Sequence, residues 1–210
     1  MKDDPSLPND YFDALYAASD DPWRFETSDY EQAKYHATLA ALPRRRYGRI
    51  FEAGCSIGVL TALLASRCDS LLAMDAAAAP LRLARQRLAG NPSVCFRQGR
   101  IPENWPDGSF DLVLISELLY YLSPCDVGTV ARRAAACLQP GGDVALVHWR
   151  PLAEPPFPLT GDAATAAFLA AAPMLLPIHA SANAQYRIDI LRRPGRACPS
   201  KVQPESHGTP

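Results

Sequence analysis

The sequence carries almost no net charge. Its 210 residues include 21 Lys and Arg and 22 Asp and Glu, which gives a formal charge of −1 at pH 7. Proteins that bind nucleic acid or anionic membranes usually present an excess of Lys and Arg, because these side chains neutralise phosphate groups. The charge balance therefore gives no reason to expect either kind of partner. The hydrophobic content of 48% is that of an ordinary globular protein, and the length allows one domain with a buried core.

Closely spaced cysteine pairs, a signal peptide and long apolar runs are also missing. The six cysteines are scattered and include no C-x-x-C pair, whereas zinc sites are normally built from such pairs. We expect the cysteines to be small apolar fillers and expect no metal site. The opening segment from Met1 to Pro5 is polar, unlike a signal peptide, and no apolar run is long enough to cross a bilayer. These absences predict a reduced, cytoplasmic protein that has no membrane partner.

Polar stretches rich in proline mark both ends of the chain. Residues 1–10 and 194–210 are predicted to be disordered, since they hold few residues that could build a core. The range between them, 11–193, is predicted to form a single domain. Its first part, 11–43, is predicted to be a helical lid.

The periodicity of the sequence predicts one helix within this lid. The spacing puts Tyr30, Lys34 and Thr38 on one face and a row of alanines on another. Ser28 and Asp29 are the candidate caps for its N-terminus, because their short polar side chains can accept a hydrogen bond from the first turn.

Strand and helix patterns alternate through the rest of the chain. Strands are predicted at residues 49–53, 71–74, 94–98, 110–115, 143–148, 175–178 and 186–191, and helices at 57–67, 80–88, 127–138 and, after a cap at Thr160, up to residue 171. Such alternation is typical of an α/β fold with a mostly parallel sheet, here of seven strands, that is covered by helices on both faces. Ligands in these folds bind beyond the carboxyl ends of the strands, near the point where the strand order reverses.

The turn after the first strand, from Glu52 to Gly58, is the strongest candidate for a ligand site. Gly54 allows a tight turn because it has no Cβ, and Gly58 allows the next helix to pack closely against the sheet. The N–H groups at the start of that helix can hold an acceptor group of a ligand. Asp75 ends the second strand about 20 residues further on, where a carboxylate can accept hydrogen bonds from both hydroxyls of a ribose.

The spacing of the glycines argues against a dinucleotide. A G-x-G-x-x-G fingerprint that starts at Gly54 needs glycines where the chain has Ser56 and Val59. The glycine that lets the backbone approach a pyrophosphate is therefore missing. An NAD(P) oxidoreductase is disfavoured on this ground and because no hydride-transfer motif is recognisable. A purely structural βαβ unit remains an open alternative.

The E-x-G-x-x-x-G pattern, with its downstream aspartate, resembles motif I of the class I methyltransferases that use S-adenosylmethionine. The resemblance implies a Rossmann-like class I methyltransferase sandwich, in which the glycine turn faces the methionine part of this cofactor, the acid holds the ribose and residues after the third strand contact adenine. The cofactor-binding residues implied are Glu52, Gly54, Cys55, Gly58, Asp75, Arg100, Ile101 and Ser116. Arg100 stands where the family commonly has an aspartate, so the adenine amino group lacks its usual acceptor.

Three shorter segments narrow the resemblance. D-D-P-W lies at 20–23, E-x-x-Y-Y-L follows the fourth strand at 117–122, and H-W-R ends the fifth strand at 148–150. Together, over residues 11–193, the chain resembles the NodS family, N-methyltransferases that act on the free amine of partly deacetylated chitin oligosaccharides. The resemblance implies a small-molecule acceptor such as an amino sugar or oligosaccharide.

Glu117, Tyr120 and His148 are the candidate catalytic residues, because they lie at or just beyond the ends of the fourth and fifth strands. An ammonium has no lone pair, so an amine must lose a proton before it attacks a methyl group, and a carboxylate or imidazole can take that proton or attract the cation. The alternative is structural: Glu117 as the partner of a backbone group or an arginine, the tyrosine as core, and His148 as a satisfied core histidine.

The motifs leave the acceptor atom open. A methyltransferase that acts on oxygen, or on another small-molecule amine, fits the same motifs, because acceptor pockets are built from variable loops. A catalytically silent subunit that binds the cofactor is an alternative of another class. The intact Glu52, Gly54, Gly58 and Asp75 argue for a working cofactor site, although they do not by themselves require turnover.

Overall fold

Helices and strands alternate along the chain in the computed structural model, which describes residues 5–195. The elements are α1 (Asn9–Ala18), α2 (Asp29–Ala41), β1 (Tyr47–Ala53), α3 (Val59–Ala65), β2 (Cys68–Asp75), α4 (Ala78–Arg87), β3 (Val94–Gln98), β4 (Phe110–Ser116), a 3-10 turn (Leu119–Tyr121), α5 (Pro124–Cys137), β5 (Leu138–Trp149), α6 (Gly161–Ala171), β6 (Leu176–Ala182) and β7 (Tyr186–Arg192). All seven predicted strands are present.

The strands form one sheet with the order β3-β2-β1-β4-β5-β7-β6. β1 pairs in parallel with β2 and β4, β2 with β3, and β4 with β5. Within this sheet, β7 alone runs in the opposite direction and pairs antiparallel with both β5 and β6. The prediction of a mostly parallel, seven-stranded sheet is confirmed. The strand order reverses between β1 and β4, so the switch point lies at their carboxyl ends.

The core has two layers because β4 is buried on both faces. Successive side chains of a strand point to opposite faces. Val113 and Ile115 therefore pack on the side of α5 and α6, and Leu112 and Leu114 pack on the side of α3 and α4. All four side chains are fully buried, and each contributes about 1.5–3 kcal/mol relative to an exposed position.

Side-chain caps set the start of three helices. Ser28 accepts a hydrogen bond from the Glu31 N–H at α2, and Thr160 accepts one from the Ala163 N–H at α6, so both caps are among those predicted. α5 begins three residues earlier than predicted, because Ser123 caps it and Pro124 occupies its first turn. Each such cap is typically worth about 1 kcal/mol.

Two other boundaries differ from the prediction for a local reason. α3 begins at Val59 and not at residue 57, since Gly58 has φ +79° and a left-handed residue cannot continue a right-handed helix. β5 begins at Leu138 and not at residue 143, so the Pro-Gly-Gly segment at 140–142 belongs to the strand. Gly142 is needed there, because a Cβ would lie 2.9 Å from the carbonyl oxygen of Gln139.

The chain ends are described in part. The prediction of disorder is wrong for residues 5–10, since the Leu7 N–H donates to the Tyr121 carbonyl at 2.8 Å and α1 begins at Asn9. Residues 1–4 and 196–210, which cover most of the predicted disordered ends, lie outside the described residues. Among the helices described, none has the length and apolar character needed to cross a bilayer.

Candidate active site

A cavity of about 490 Å³ opens at the carboxyl ends of β1, β2, β4 and β5, beneath α1 and α2. Its size is in the range of small-molecule sites. The predicted site residues that line it are Glu52, Gly54, Cys55, Asp75, Arg100, Ile101, Ser116, Glu117 and Tyr120. The two other predicted site residues, Gly58 and His148, do not line it.

The glycine turn is shaped by residues with positive φ. Gly54, Ser56 and Gly58 have φ values of +80°, +49° and +79°. The Gly54 N–H donates to the Met74 carbonyl at 2.8 Å, which fixes the turn to β2. Gly58 was predicted to let the next helix pack closely against the sheet. It does allow a close approach, but the neighbour is α4 and not the sheet. A Cβ at Gly58 would lie 2.9 Å from the Cβ of Ala84.

Asp75 is held in place by the backbone on both sides of it. One carboxylate oxygen accepts from the Ser56 N–H at 2.8 Å, and the other accepts from the Ala77 N–H at 3.0 Å. Burial raises the pKa of Asp75, although these N–H groups oppose that effect. A carboxylate has about four lone-pair sites. The oriented Asp75 side chain can therefore accept further hydrogen bonds from hydroxyls of a ligand in the cavity.

Glu52 is a buried acid at the same end of the cavity. Its side chain is only 2% exposed, and its Oε2 atom has no hydrogen-bond partner. Burial, with a smaller contribution from the charge of Asp75, raises the pKa of Glu52 to about 8. An unpartnered buried acceptor is costly. A ligand ammonium would remove that cost, which fits a cofactor that carries both an amino acid part and a ribose.

The segment after β3 forms another wall of this end. Ile101 is buried there and presents an apolar side chain to the cavity. Arg100 also lines the cavity, but its backbone N–H donates to the Asn104 side chain at 3.0 Å. This N–H is therefore engaged within its own loop. The side chain of Arg100 lies 3.7 Å from Glu103, where it forms a loose ion pair.

Glu117 is fixed by three hydrogen bonds at the other end of the cavity. Its Oε1 accepts from the Lys34 ammonium at 2.5 Å. Its Oε2 accepts from the Tyr120 hydroxyl and from the Trp149 N–H, both at 2.8 Å. The backbone of Glu117 is left-handed, with φ +53°, and its N–H donates to the Val147 carbonyl. Glu117 and Tyr120, two of the predicted catalytic residues, are thus joined by a direct hydrogen bond.

Lys34 and Glu31 of α2 complete this cluster, and the sequence interpretation gave neither a role. Both are buried, at 1% and 7% exposure, and the Lys34 ammonium bonds Glu31 at 2.9 Å as well as Glu117. Burial disfavours the charge of Lys34, but the carboxylates of Glu117 and Glu31 outweigh burial and raise the pKa of Lys34. The sequence holds one indication of this pair, because Glu31 and Lys34 form an E-x-x-K spacing on the helix face opposite the alanines. Two of those alanines, Ala33 and Ala40, are exposed, so the opposite face is the buried one.

The structure corrects the prediction that His148 is a catalytic residue. The side chain is fully buried and does not line the cavity. Its Nε2 accepts from the Leu119 N–H at 3.3 Å, and its ring packs edge-on against Tyr120. Burial lowers the pKa of His148 to about 4. Because side chains alternate along β5, Trp149 and not His148 faces the cavity, and the histidine supports the 3-10 turn that carries Tyr120.

Aromatic side chains enclose the cavity. Tyr120 stacks on Phe157, which belongs to the segment between β5 and α6. On the lid, Trp23 packs edge-on against Tyr16, whose hydroxyl lies 2.5 Å from the Ser56 hydroxyl of the glycine turn. The predicted lid region therefore bonds directly to the turn that it covers.

No group of three or more His, Cys, Asp or Glu residues with a geometry suited to a metal ion occurs within residues 5–195. The charged residues that line the cavity include two acids at one end, Glu52 and Asp75, and the Glu31–Lys34–Glu117 cluster at the other, and Arg100 and Glu154 line it as well.

Known proteins with this arrangement include methyltransferases. A solved structure of a candidate methyltransferase from Pseudomonas syringae is 40% identical in sequence, covers 78% of this chain and 99% of its own, and superposes with a TM-score of 0.69. The N-methyltransferase NodS from Bradyrhizobium japonicum WM9, solved in complex with S-adenosyl-L-homocysteine, superposes with a TM-score of 0.74 over 87% of this chain and 98% of its own. At 21% identity it supports the fold alone.

Sequence relatives identify the family. The nodulation protein S of Bradyrhizobium diazoefficiens is 33% identical over 107 residues, which are 50% of this chain and 51% of that protein. This chain spans about half the length of the curated relatives it matches. The family model for nodulation protein S (NodS) matches residues 13–140, more than half of the chain, and the protein therefore belongs to the NodS family.

Proposed function

We propose that this protein is an S-adenosylmethionine-dependent methyltransferase that acts on the amine of a small molecule. The observation that carries the proposal is that one cavity joins two unlike ends. The glycine turn and Asp75 line one end, and the charged and aromatic cluster around Glu117 lines the other. A cofactor held at the first end would meet an acceptor held at the second.

The first end suits the cofactor chemically. Glu52 offers an unpartnered buried oxygen for the ammonium of the methionine part, and Asp75 offers lone pairs for the ribose hydroxyls. Ile101 offers an apolar wall for the adenine ring. When bound, S-adenosylmethionine supplies a methyl group on a positively charged sulfur, ready for displacement.

The protein contributes placement at the second end. Holding the amine in line with the methyl group removes much of the entropic barrier to an in-line displacement. Glu117 is a preorganised anion, since Lys34, Tyr120 and the Trp149 N–H fix its carboxylate. It attracts a cationic acceptor without having to reorient, and as a carboxylate it can take the proton that the ammonium must lose before its nitrogen attacks the methyl group. The lid residues Tyr16 and Trp23 limit the access of water.

An amino sugar or chitin oligosaccharide is the finer proposal for the acceptor. It is supported by the E-x-x-Y-Y-L and H-W-R segments, which resemble those of the NodS family, and by membership of that family. The rings of Tyr120, Trp149 and Phe157 line the second end and offer flat apolar surfaces that suit the C–H face of a sugar ring.

A thermal melt tests the cofactor assignment. S-adenosylhomocysteine at 100 times its Kd should stabilise the protein by about 2.7 kcal/mol, whereas NAD should not stabilise it. Asp75→Ala should weaken the binding of S-adenosylhomocysteine by about 1–3 kcal/mol through the loss of charged hydrogen bonds. Asp107→Asn, at an exposed loop position, is the matched control and should leave binding unchanged. Stabilisation by NAD in place of S-adenosylhomocysteine would contradict the proposal.

A methyl-transfer assay tests the acceptor. Glucosamine oligomers are compared with unrelated amines and with hydroxyl compounds of similar size, and transfer to the amino sugars is expected. Transfer to hydroxyl compounds alone would favour an O-methyltransferase. Binding of S-adenosylhomocysteine without transfer to any compound would favour the silent-subunit alternative.

A further inference from the structure

Glu31 lines the cavity and carries one carboxylate oxygen that has no partner. Its Oε1 accepts from Lys34, but its Oε2 is buried and has no hydrogen-bond partner. The Tyr35 hydroxyl lies beside this carboxylate without a hydrogen bond of normal geometry to Oε2. Burial raises the pKa of Glu31, and the charge and hydrogen bond of Lys34 oppose that effect only in part. A buried carboxylate with a free oxygen in a cavity is suited to a ligand that donates a hydrogen bond.

Tyr30 presents a second unused polar group from the same helix turn. Its hydroxyl is buried and has no partner, and the residue lines the cavity. Burial raises the pKa of Tyr30 to about 12, so the phenol is neutral at physiological pH and can donate or accept a hydrogen bond. The role proposed for Glu117 in attracting the acceptor involves neither the Tyr30 hydroxyl nor the free oxygen of Glu31.

The charges of the cluster favour a cation. Glu31 and Glu117 contribute two negative charges, and Lys34 contributes one positive charge. The Lys34 ammonium is engaged by both carboxylates and lies 5.0 Å from the centre of the Tyr30 ring. The cluster therefore keeps one uncompensated negative charge, which lies among aromatic rings that also favour a cationic ligand.

We propose that Glu31 Oε2 and the Tyr30 hydroxyl form the binding site for the acceptor's amine, with Oε2 accepting a hydrogen bond from the protonated amine and Tyr30 bonding an adjacent polar atom. Lys34 is the positioning residue that holds Glu31 Oε1, so that Oε2 is the oxygen left for the ligand. The inference rests on the proposed function and names the chemical class of its acceptor, a primary amine that is cationic when it binds. It places acceptor recognition on α2, outside the sheet.

The test measures binding by calorimetry with the full chain, in the presence and absence of saturating S-adenosylhomocysteine. Two matched pairs of probes are used: the glucosamine dimer against its N-acetylated counterpart, and 2-phenylethylamine against 2-phenylethanol. In at least one pair, the wild-type protein should bind the amine at least about 10-fold more tightly than the uncharged partner. This ratio of Kd values is the one expected for one charged hydrogen bond.

The variants assign that preference to residues. Glu31→Gln keeps an oxygen for Lys34 but removes the charge, and it should reduce the preference to about 2-fold or less. Asp29→Asn removes a charge from an exposed position of the same helix and should keep the preference. In the glucosamine pair, whose members carry hydroxyls next to the nitrogen, Tyr30→Phe should weaken both members by a similar factor, about 3-fold to 10-fold, since it removes a neutral hydrogen bond.

The outcomes are distinct. The proposal is overturned if Glu31→Gln retains the preference, or if no amine binds the wild-type protein better than its uncharged partner. Unchanged affinity for S-adenosylhomocysteine in the variants shows that they are folded with an intact cofactor end. If the wild-type protein does not bind S-adenosylhomocysteine, the proposed function fails, whereas the amine preference measured without it still decides the role of Glu31.

Discussion

Substitution of Glu52 by glutamine should make the stability of this protein less dependent on pH. Burial raises the pKa of Glu52 from 4.5 to about 8 in the folded chain. The folded protein therefore holds this proton more tightly than the unfolded chain does. The stability that comes from the protonated carboxyl is fully present below about pH 4.5 and is lost as the pH rises to about 8.

The size of the effect follows from the same values. A pKa that rises from 4.5 to about 8 corresponds to about 5 kcal/mol, at about 1.4 kcal/mol for each pH unit. This is an upper limit, because relaxation of the structure and entry of water reduce the cost of burying a charge. Glutamine has nearly the same shape and does not ionise, so the variant should lack this dependence.

Urea unfolding between about pH 5 and pH 9 measures the effect. The difference in unfolding free energy between Glu52→Gln and the wild type should shift in favour of the variant by about 1 kcal/mol for each pH unit up to about pH 8 and then level off. Asp107→Asn, which removes an exposed carboxylate, should follow the wild type at every pH.

Parallel stability curves for the wild type and Glu52→Gln would refute the reasoning. They would mean that Glu52 is already ionised at neutral pH in the folded protein and that its buried oxygen has found a partner. A constant offset between the curves would report only the lost packing or hydrogen bonding of the substitution, not the proton.

Two further predictions concern packing and acid stability. Gly58→Ala should lower the free energy of unfolding by about 2–4 kcal/mol in a thermal melt, since the new Cβ would meet Ala84 at a position with φ +79°. Gly90→Ala is the control: its φ is +80° but no atom lies within 4 Å, so it should lower the free energy of unfolding by only about 1–2 kcal/mol. Equal losses in the two variants would show that the contact with Ala84 does not matter. Because the pKa of His148 is lowered in the folded protein, about 3 kcal/mol of stability is present above pH 6.5 and is lost as the pH falls to about 4. The His148→Leu variant should lack this loss, so its unfolding free energy should change less between about pH 6.5 and pH 4. An unchanged acid limb in urea unfolding would show that the histidine is protonated in the folded protein.

The sheet and the cofactor end were predictable because their signals are local. The apolar run of β4 predicts a strand buried on both faces, and two of the three observed side-chain caps were among the candidates. The turn from Glu52 to Gly58 carries its own conformational requirement in its glycines. The carboxyl ends of parallel strands meet at one edge, so Asp75 could be placed beside that turn without any knowledge of tertiary packing.

The acceptor end was only partly predictable because it depends on packing across elements. The alternation along β5 does not say whether His148 or Trp149 faces the cavity, since both faces of that strand are covered. Helix α2 buries Glu31 and Lys34 and exposes Ala33 and Ala40, the reverse of the usual amphipathic order. That reversal is stable because Glu117, 83 positions away from Lys34, supplies the opposite charge, and no local pattern contains this partner.

The two ends of the cavity are carried by different stretches of the chain. The proposed cofactor end is built by the turns that follow β1, β2 and β3, whereas the proposed acceptor end combines the segments at the ends of β4 and β5 with the 13-residue helix α2 and the loop that carries Phe157. Under the proposed function, mutations in α2 and that loop would alter which molecule is methylated while the cofactor turn stays intact. A graft of residues 29–41 from a relative, made together with that relative's residue at position 117 because Lys34 bonds Glu117, is therefore a starting point for redesigning acceptor choice.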